Sequence, residues 1–96
     1  MRNYELMFIV KTAEESDGAK KIAKAYEKII TDGKGKIAET KDMGQRKLAY
    51  PIKKEINGFY YVIDFSAKQE TITELDRRFR IDEKVLRYMI IRLDEE

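Results

Sequence analysis

Six segments of this sequence carry apolar residues at regular spacing. In four segments the spacing is two residues, typical of strands, and in the other two it is three to four residues, typical of helices. The strand-like segments are residues 3–10, 36–52, 59–65 and 85–93, and the helix-like segments are residues 17–32 and a stretch between Ser66 and Ile81. This order, βαββαβ, is that of the split βαβ or ferredoxin-like arrangement. We therefore predict one α+β domain over residues 1–96, with a four-stranded antiparallel sheet and both helices on one face.

The first and third predicted strands are apolar on both sides, which is typical of strands in the middle of a sheet. In the first strand one side consists of Tyr4, Leu6, Phe8 and Val10, and the other of Glu5, Met7 and Ile9. In the third strand the run from Phe59 to Phe65 is rich in aromatic and β-branched residues. Because both of its sides are apolar, the spacing alone does not decide which side of the sheet Phe59 and Tyr61 face.

The second predicted strand ends in a basic, proline-containing stretch, residues 44–54. Leu48, Tyr50 and Ile52 alternate with Lys47, Ala49 and Pro51, so one side is expected to be buried. Proline cannot donate to a strand ladder, so this is an edge strand or its end. Four flanking cations, Arg46, Lys47, Lys53 and Lys54, suit an RNA backbone or a partner protein. The alternative is that the lysines and the proline only protect the edge from aggregation.

Local sequence signals predict where the elements begin, bend and end. We expect a bulge or bend at Met43–Gly44 and a turn at Asn57–Gly58, after a polar connection that starts at Lys53. The candidate caps are Ser16 or Asp17 at the start of the first helix, Gly33 or Gly35 at its end, and the pairs Ser66–Gln69 or Thr71–Glu74 at the start of the second.

The outer side of the first predicted helix carries a row of lysines at positions 20, 21, 24 and 28. Such a row could form an RNA-binding stripe. It is more often a solvated helix face, and we favour that interpretation.

Composition excludes several kinds of site. The chain has no cysteine and no histidine, so it lacks thiolates, the commonest general base and the commonest metal ligand. No Ser-His-Asp set or glycine-rich phosphate loop is present. We expect no catalysis, no metal, no cofactor and no small-molecule substrate. The formal charge is only +2, so any RNA-binding surface must come from the distribution of charge. The sequence has no run of about eighteen apolar residues and no secretory signal, which predicts a cytoplasmic protein without membrane contact.

The third predicted strand partly matches the signature of RNA-recognition domains, which stack bases on aromatic residues of an open sheet. The segment 57–64 has the glycine, the two middle aromatics and the aliphatic residue, and it lacks the leading cation, the small residue and the last aromatic. We favour packing against helices or a partner for these rings. Glu5 with Arg87 or Arg92 could hold a small anion, but a surface ion pair is the commoner outcome.

Two blocks of the sequence closely resemble one known family, the sixth protein of the bacterial small ribosomal subunit. They are Met-Arg-Asn-Tyr-Glu at residues 1–5 and Arg-Lys-Leu-Ala-Tyr-Pro-Ile at residues 46–52, and the likeness continues through residues 58–60 and 82–87. It covers essentially the whole chain. Many family members carry tryptophan where this chain has Met43, and some carry a further cation at Gln45.

The resemblance implies a ferredoxin-like, non-catalytic ribosomal protein in the cytoplasm. It also implies binding to the central domain of small-subunit rRNA together with the eighteenth small-subunit ribosomal protein. It matches Arg2, Arg46, Lys47 and Arg87 to basic positions of the family, and Tyr4 and Tyr50 to aromatic ones. With the other cations noted above, the predicted rRNA-binding residues are Arg2, Tyr4, Arg46, Lys47, Lys53, Lys54, Arg87 and Arg92. The predicted residues that dock the partner protein are Met7, Ile9, Tyr50, Met89 and Ile91.

Three alternatives remain at this stage. If Met7, Ile9, Met89 and Ile91 only fill a thin second layer, the partner would have to add a strand at the sheet edge. A dimeric small-molecule-binding regulatory module could use the same fold, although the chain lacks a glycine-rich ligand loop. A small phosphatase would need an arginine and an amide in an anion-binding loop, and residues 11–18 contain neither.

Overall fold

The structure, a computed structural model, describes residues 1–93. Its elements are strand β1 (Arg2–Lys11), a short 3-10 helix (Thr12–Glu14), helix α1 (Glu15–Asp32), strand β2 (Lys36–Ile52), strand β3 (Glu55–Ala67), helix α2 (Gln69–Ile81) and strand β4 (Val85–Arg92). The strands form one antiparallel sheet in the order β2-β3-β1-β4. The predicted fold, the central positions of the first and third strands and the edge position of the second are therefore confirmed.

The main core lies between the sheet and the two helices. Strand β1 contributes Leu6, Phe8 and Val10, none of which is exposed, and Tyr61 of β3 is only 3% exposed in the same cluster. Phe59 packs against this cluster as well. The two aromatic residues that the sequence left undecided therefore face the helices. We call the other side of the sheet the open face.

The turn between β2 and β3 lies at Lys53–Lys54, and the predicted turn at Asn57–Gly58 is wrong. Both lysines have positive φ, 51° and 70°, as a two-residue turn of type I′ requires. Gly58 instead lies inside β3, opposite Lys11 of β1. A Cβ atom at Gly58 would come within 2.3 Å of Cγ2 of Ile9. Glycine is needed there for close approach, a requirement that looks like a turn signal in the sequence.

The predicted bulge in β2 is confirmed. The register with β3 shifts between Asp42 and Gly44, and Gly44 has a φ of 75°. The Gly44 amide donates a hydrogen bond of 3.0 Å to Oδ1 of Asp42, which stabilises the left-handed backbone at this point. The bulge bends the edge strand before its basic half begins.

The helix ends agree with the predictions at only one of three places. Gly33 caps the end of α1, as expected. Helix α1 begins at Glu15, before either predicted cap, and α2 follows Lys68; neither start has a side-chain capping bond. Thr71, a predicted cap, is buried within α2 beside Gly33, where an added Cβ would lie 2.3 Å from its hydroxyl oxygen. Packing between the helices explains this threonine.

Candidate nucleic-acid interface

The last residues of β2 fold over the open face and form a second, smaller core. Leu48 packs there with Ile9 of β1 and Leu86 of β4, and all three are at most 6% exposed. Ile52 and Tyr60 cover the cluster from the side. The proline-containing stretch is thus attached to three strands, which fixes the position of the cations on either side of it.

Tyr50 links the same stretch to the opposite edge of the sheet. Its hydroxyl accepts a hydrogen bond from Nη1 of Arg87 on β4, although the ring is 56% exposed. The predicted burial of Tyr50 alongside Leu48 is therefore wrong. Strand alternation is interrupted here because the pairing of β2 with β3 shifts between Lys47 and Ile52.

Five of the predicted cations come together at one end of the molecule. We call this group the basic end: Arg46, Lys47, Lys53, Lys54 and Arg87. All five side chains are exposed. Nε of Arg46 donates to the carbonyl of Met43 at 3.1 Å, which orients that guanidinium. Met43 itself is 41% exposed at the bulge.

Two carboxylates lie close to the basic end. Glu55 directly follows Lys54 and pairs with Ile52 across the turn. Asp82 lines a shallow depression together with Lys53 and Arg87. Its Oδ2 accepts a hydrogen bond of 2.6 Å from the hydroxyl of Tyr26, and burial together with this contact raises the pKa of Tyr26 well above its ordinary value. Asp82 and Glu55 together offset part of the local positive charge of the five cations.

The other two predicted cations lie elsewhere. Arg2 pairs with Ala67 in the β1–β3 register, whereas Arg46 pairs with Gly58 at the other end of β3. At about 3.3 Å per residue the two ends of the ten-residue β1 are about 30 Å apart. Arg92 lies opposite Tyr4 and lines a depression with Gln69 of α2, on the helix side of the sheet. The eight predicted RNA-binding residues therefore do not form one surface.

Tyr4 is a core residue, and its predicted contact with RNA is a misassignment. The ring is 6% exposed and stacks on Phe65, with the ring centroids 5.7 Å apart. A base cannot reach a ring buried between the sheet and the helices. The position is aromatic because the core needs a large side chain there.

The predicted docking residues lie on the open face, and one of them, Ile9, is buried there. Met89 and Ile91 are 39% and 43% exposed on β4, and Met7 is half-buried between Met89 and Val62. Met7, Met89 and Tyr50 border an apolar depression of about 230 Å³ next to the basic end. Ile9 was predicted with them and also lines the depression, but at 4% exposure beneath Leu48 it offers a partner almost no surface.

The sequence suggested that Glu5 and Arg87 could form an ion pair, but they do not pair in the structure. Arg87 lies opposite Ile9, four residues further along β1, and Glu5 lies opposite Asp64 of β3. The pKa of Glu5 is raised because its carboxyl shares a hydrogen bond with Asp64, and burial and charge repulsion add to the effect. The sequence shows both acids, but only the strand register brings them together.

The structure does not support base stacking on the partial RNA-recognition signature. Phe59 and Tyr61 point into the core, so the rings that such a domain would present are covered by helices. Tyr60 is on the open face, where it packs against the Leu48 cluster.

Within residues 1–93, no group of three or more acidic side chains is arranged to hold a metal ion. Neither helix in that range has the length and apolarity needed to cross a membrane.

Comparison with known proteins gives one consistent result. The model of the family described as ribosomal protein S6 matches residues 3–92. The chain is 44% identical to small ribosomal subunit protein bS6 of Helicobacter acinonychis (strain Sheeba) over all 96 residues, which is 68% of that protein. It is also 44% identical to bS6 of Sulfurimonas denitrificans over 94 residues, 98% of this chain and 69% of the relative.

A solved structure agrees with these sequence matches. The crystal structure of 30S ribosomal protein S6 from Thermotoga maritima superposes with a TM-score of 0.89 at 35% identity, covering 95% of this chain and 86% of that one. This chain belongs to the ribosomal protein S6 family and is a non-enzymatic structural constituent of the small ribosomal subunit.

Proposed function

We propose that this protein binds the central domain of small-subunit rRNA through its basic end and docks the eighteenth small-subunit ribosomal protein on its open face. The observation that carries the proposal is the position of the two surfaces. Five exposed cations adjoin an apolar depression bordered by Met7, Tyr50 and Met89. One neighbouring molecule of RNA and one of protein could therefore be held side by side.

The arrangement of charge favours binding to a folded RNA together with a partner. Each phosphate that a cation neutralises releases counterions, so the logarithm of the binding constant falls linearly with the logarithm of the salt concentration. Five contacts give this line a slope, which we call the salt slope, with a magnitude of at most about 4 to 5. The whole chain carries only two net positive charges, so its affinity for arbitrary RNA is low. A partner that adds its own contacts raises the affinity without a larger basic surface.

Arg87 and Tyr50 have a supporting role in this proposal. Their hydrogen bond ties the stretch 48–52 to β4, and this stretch leads directly into the turn at Lys53–Lys54. The cations of the turn are therefore held in place before RNA binds, which reduces the conformational entropy lost on binding.

The test is a binding titration of the full chain against a central-domain rRNA fragment, with and without the partner protein, across a salt series. The variant replaces Arg46, Lys47, Lys53 and Lys54 with Gln. We expect this variant to bind weakly at every salt concentration, with a salt slope smaller by about 3 to 4.

A matched control changes Lys20, Lys21, Lys24 and Lys28 of α1 to Gln, which removes the same number of charges from an exposed helix face. This control is expected to keep most of the affinity. The proposal is contradicted if both variants lose affinity equally, or if the basic-end variant binds as well as the unmodified chain. Tight binding without the partner would contradict the cooperative part alone.

A further inference from the structure

The open face carries one acidic pair among its apolar side chains. Glu5 of β1 and Asp64 of β3 are direct partners in the strand register, so both carboxyls project from the same side of the sheet. Met7 and Val62 are the next pair along the same side, and Ile91 of β4 lies opposite Glu5. The pair thus lies within the surface that we assign to a partner protein.

Within residues 1–93 the two carboxyls have too few neighbouring hydrogen-bond donors and positive charges. Oδ1 of Asp64 is buried and has no hydrogen-bond partner there. On β2, Lys41 is close enough to favour the ionised form of Glu5, while Glu39, opposite Asp64, adds a negative charge. On β4 the facing residue is the uncharged Ile91. The pair therefore carries uncompensated negative charge and has too few hydrogen-bond donors around it.

A purely apolar partner would not suit this surface. Covering Met89 and Ile91 would remove water from the neighbouring carboxyls, and burial of an unpaired carboxylate is unfavourable. A guanidinium or ammonium group supplied by the partner would give both carboxylates a donor and balance the charge. Charge complementarity therefore identifies the chemistry of the occupant.

We propose that the open face binds a protein segment in which an arginine or lysine lies between apolar side chains, with the cation placed between Glu5 and Asp64. This inference rests on the proposed function of the open face as a protein-docking surface. It adds two acidic residues to that surface and gives the partner a specific requirement. Arginine suits the arrangement better than lysine, because its planar fork can donate to two carboxylates at once.

The proposal makes association dependent on pH in a defined direction. A cation between the carboxylates requires both to be ionised, so protonation of Glu5 competes with binding. The affinity then falls as the pH is lowered from neutrality into the range above 4.5, the ordinary pKa of a glutamate, where Glu5 of the free protein takes up its proton. Displacement of one proton gives a loss of up to about tenfold per pH unit. A partner without such a cation would give the opposite slope, because burial would favour the protonated pair.

The experiment measures the affinity of the full chain for the eighteenth small-subunit protein by titration calorimetry between pH 5 and pH 7.5. The variants are Glu5→Gln and Asp64→Asn, and the matched control is Glu70→Gln on α2, across the sheet from the open face. We expect each open-face variant to lose about tenfold in affinity at pH 7.5 and to show a flatter pH profile. The control should follow the unmodified chain.

Thermal unfolding of each variant checks that it is folded, and the pH profile of the unmodified chain needs no substitution. An affinity that rises at low pH, or one that neither variant changes, overturns this inference while leaving the docking surface in place. If the unmodified chain fails to bind at any pH, both this inference and the proposed docking are wrong.

Discussion

At the scale of single residues, close packing requires glycine at positions that look like turn or surface signals in the sequence. Gly58 is buried in β3 against Ile9, and Gly33 lies against Thr71 of the neighbouring helix. In both cases a methyl group would overlap a packed side chain. These glycines set the distances between β1 and β3 and between the two helices, and thereby the position of the residues on the open face.

Replacing Gly58 with alanine is expected to destabilise the protein by about 1–3 kcal/mol, because the new Cβ would lie 2.3 Å from Cγ2 of Ile9 and force that side chain to move. Urea denaturation measures this as a lower midpoint with an unchanged m-value. Gly18→Ala is the control: its nearest contact is Cβ of Glu14 at 3.3 Å, and alanine favours the helix. A Gly58→Ala midpoint equal to that of the unmodified protein would show that the strands can separate without cost.

Removing the acidic charge at residue 5 should affect stability in a pH-dependent way. The pKa of Glu5 is raised in the folded state, so the folded protein binds more protons at residue 5 than the unfolded chain does. The protein therefore becomes less stable as the pH rises through the pKa of this group. Glu5→Gln should therefore have the higher melting temperature at pH 7, and the difference should shrink toward pH 5. Melting curves at several pH values measure this, and a constant difference would contradict it.

At the scale of elements, the β2–β3 hairpin combines a tight turn with residues that do not favour it. Lys53 and Lys54 both have positive φ, which side chains with a Cβ disfavour, and asparagine followed by glycine is the preferred pair in such turns. Two lysines at the tip are therefore better explained by their charge than by turn stability.

Changing Lys53→Asn and Lys54→Gly together should stabilise the protein by about 1 kcal/mol and weaken rRNA binding at the same time, since it relieves backbone strain and removes two cations. The control is Lys34→Gly, which relieves the positive φ of 67° after α1, far from the basic end. It should stabilise the fold while leaving rRNA affinity unchanged. Chemical denaturation and rRNA titration of the same samples test both effects. A hairpin variant that keeps its full rRNA affinity would remove these lysines from the interface.

At the scale of the whole molecule, the periods of the apolar residues were sufficient to predict the elements and their order, and two-sided apolarity was sufficient to place β1 and β3 centrally. The side of the sheet that Tyr61 faces was not predictable, because this strand is apolar on both sides and the spacing of its residues does not distinguish them. The division of the cations between two ends, the burial of Tyr4 and the pairing of Glu5 with Asp64 all depend on strand register. Register is set by long-range contacts that no local pattern contains.

Family membership confirms the predicted location in the ribosome, which lies in the cytoplasm of bacteria, and the predicted absence of catalysis. The match to residues 3–92 includes both the basic end and the open face.

The pairing of β1 has a consequence for synthesis of the chain. This strand is translated before both of its partners, since Arg2 pairs with Ala67 of β3 and Tyr4 with Arg92 of β4. While β3 and β4 are still being translated, both edges of an apolar strand have no partner in the chain. Contacts between residues so distant in sequence form slowly and leave such edges open to other chains. A nascent chain with this pairing therefore completes its sheet only after β4 has been translated, and chaperones have their greatest effect before β4 appears.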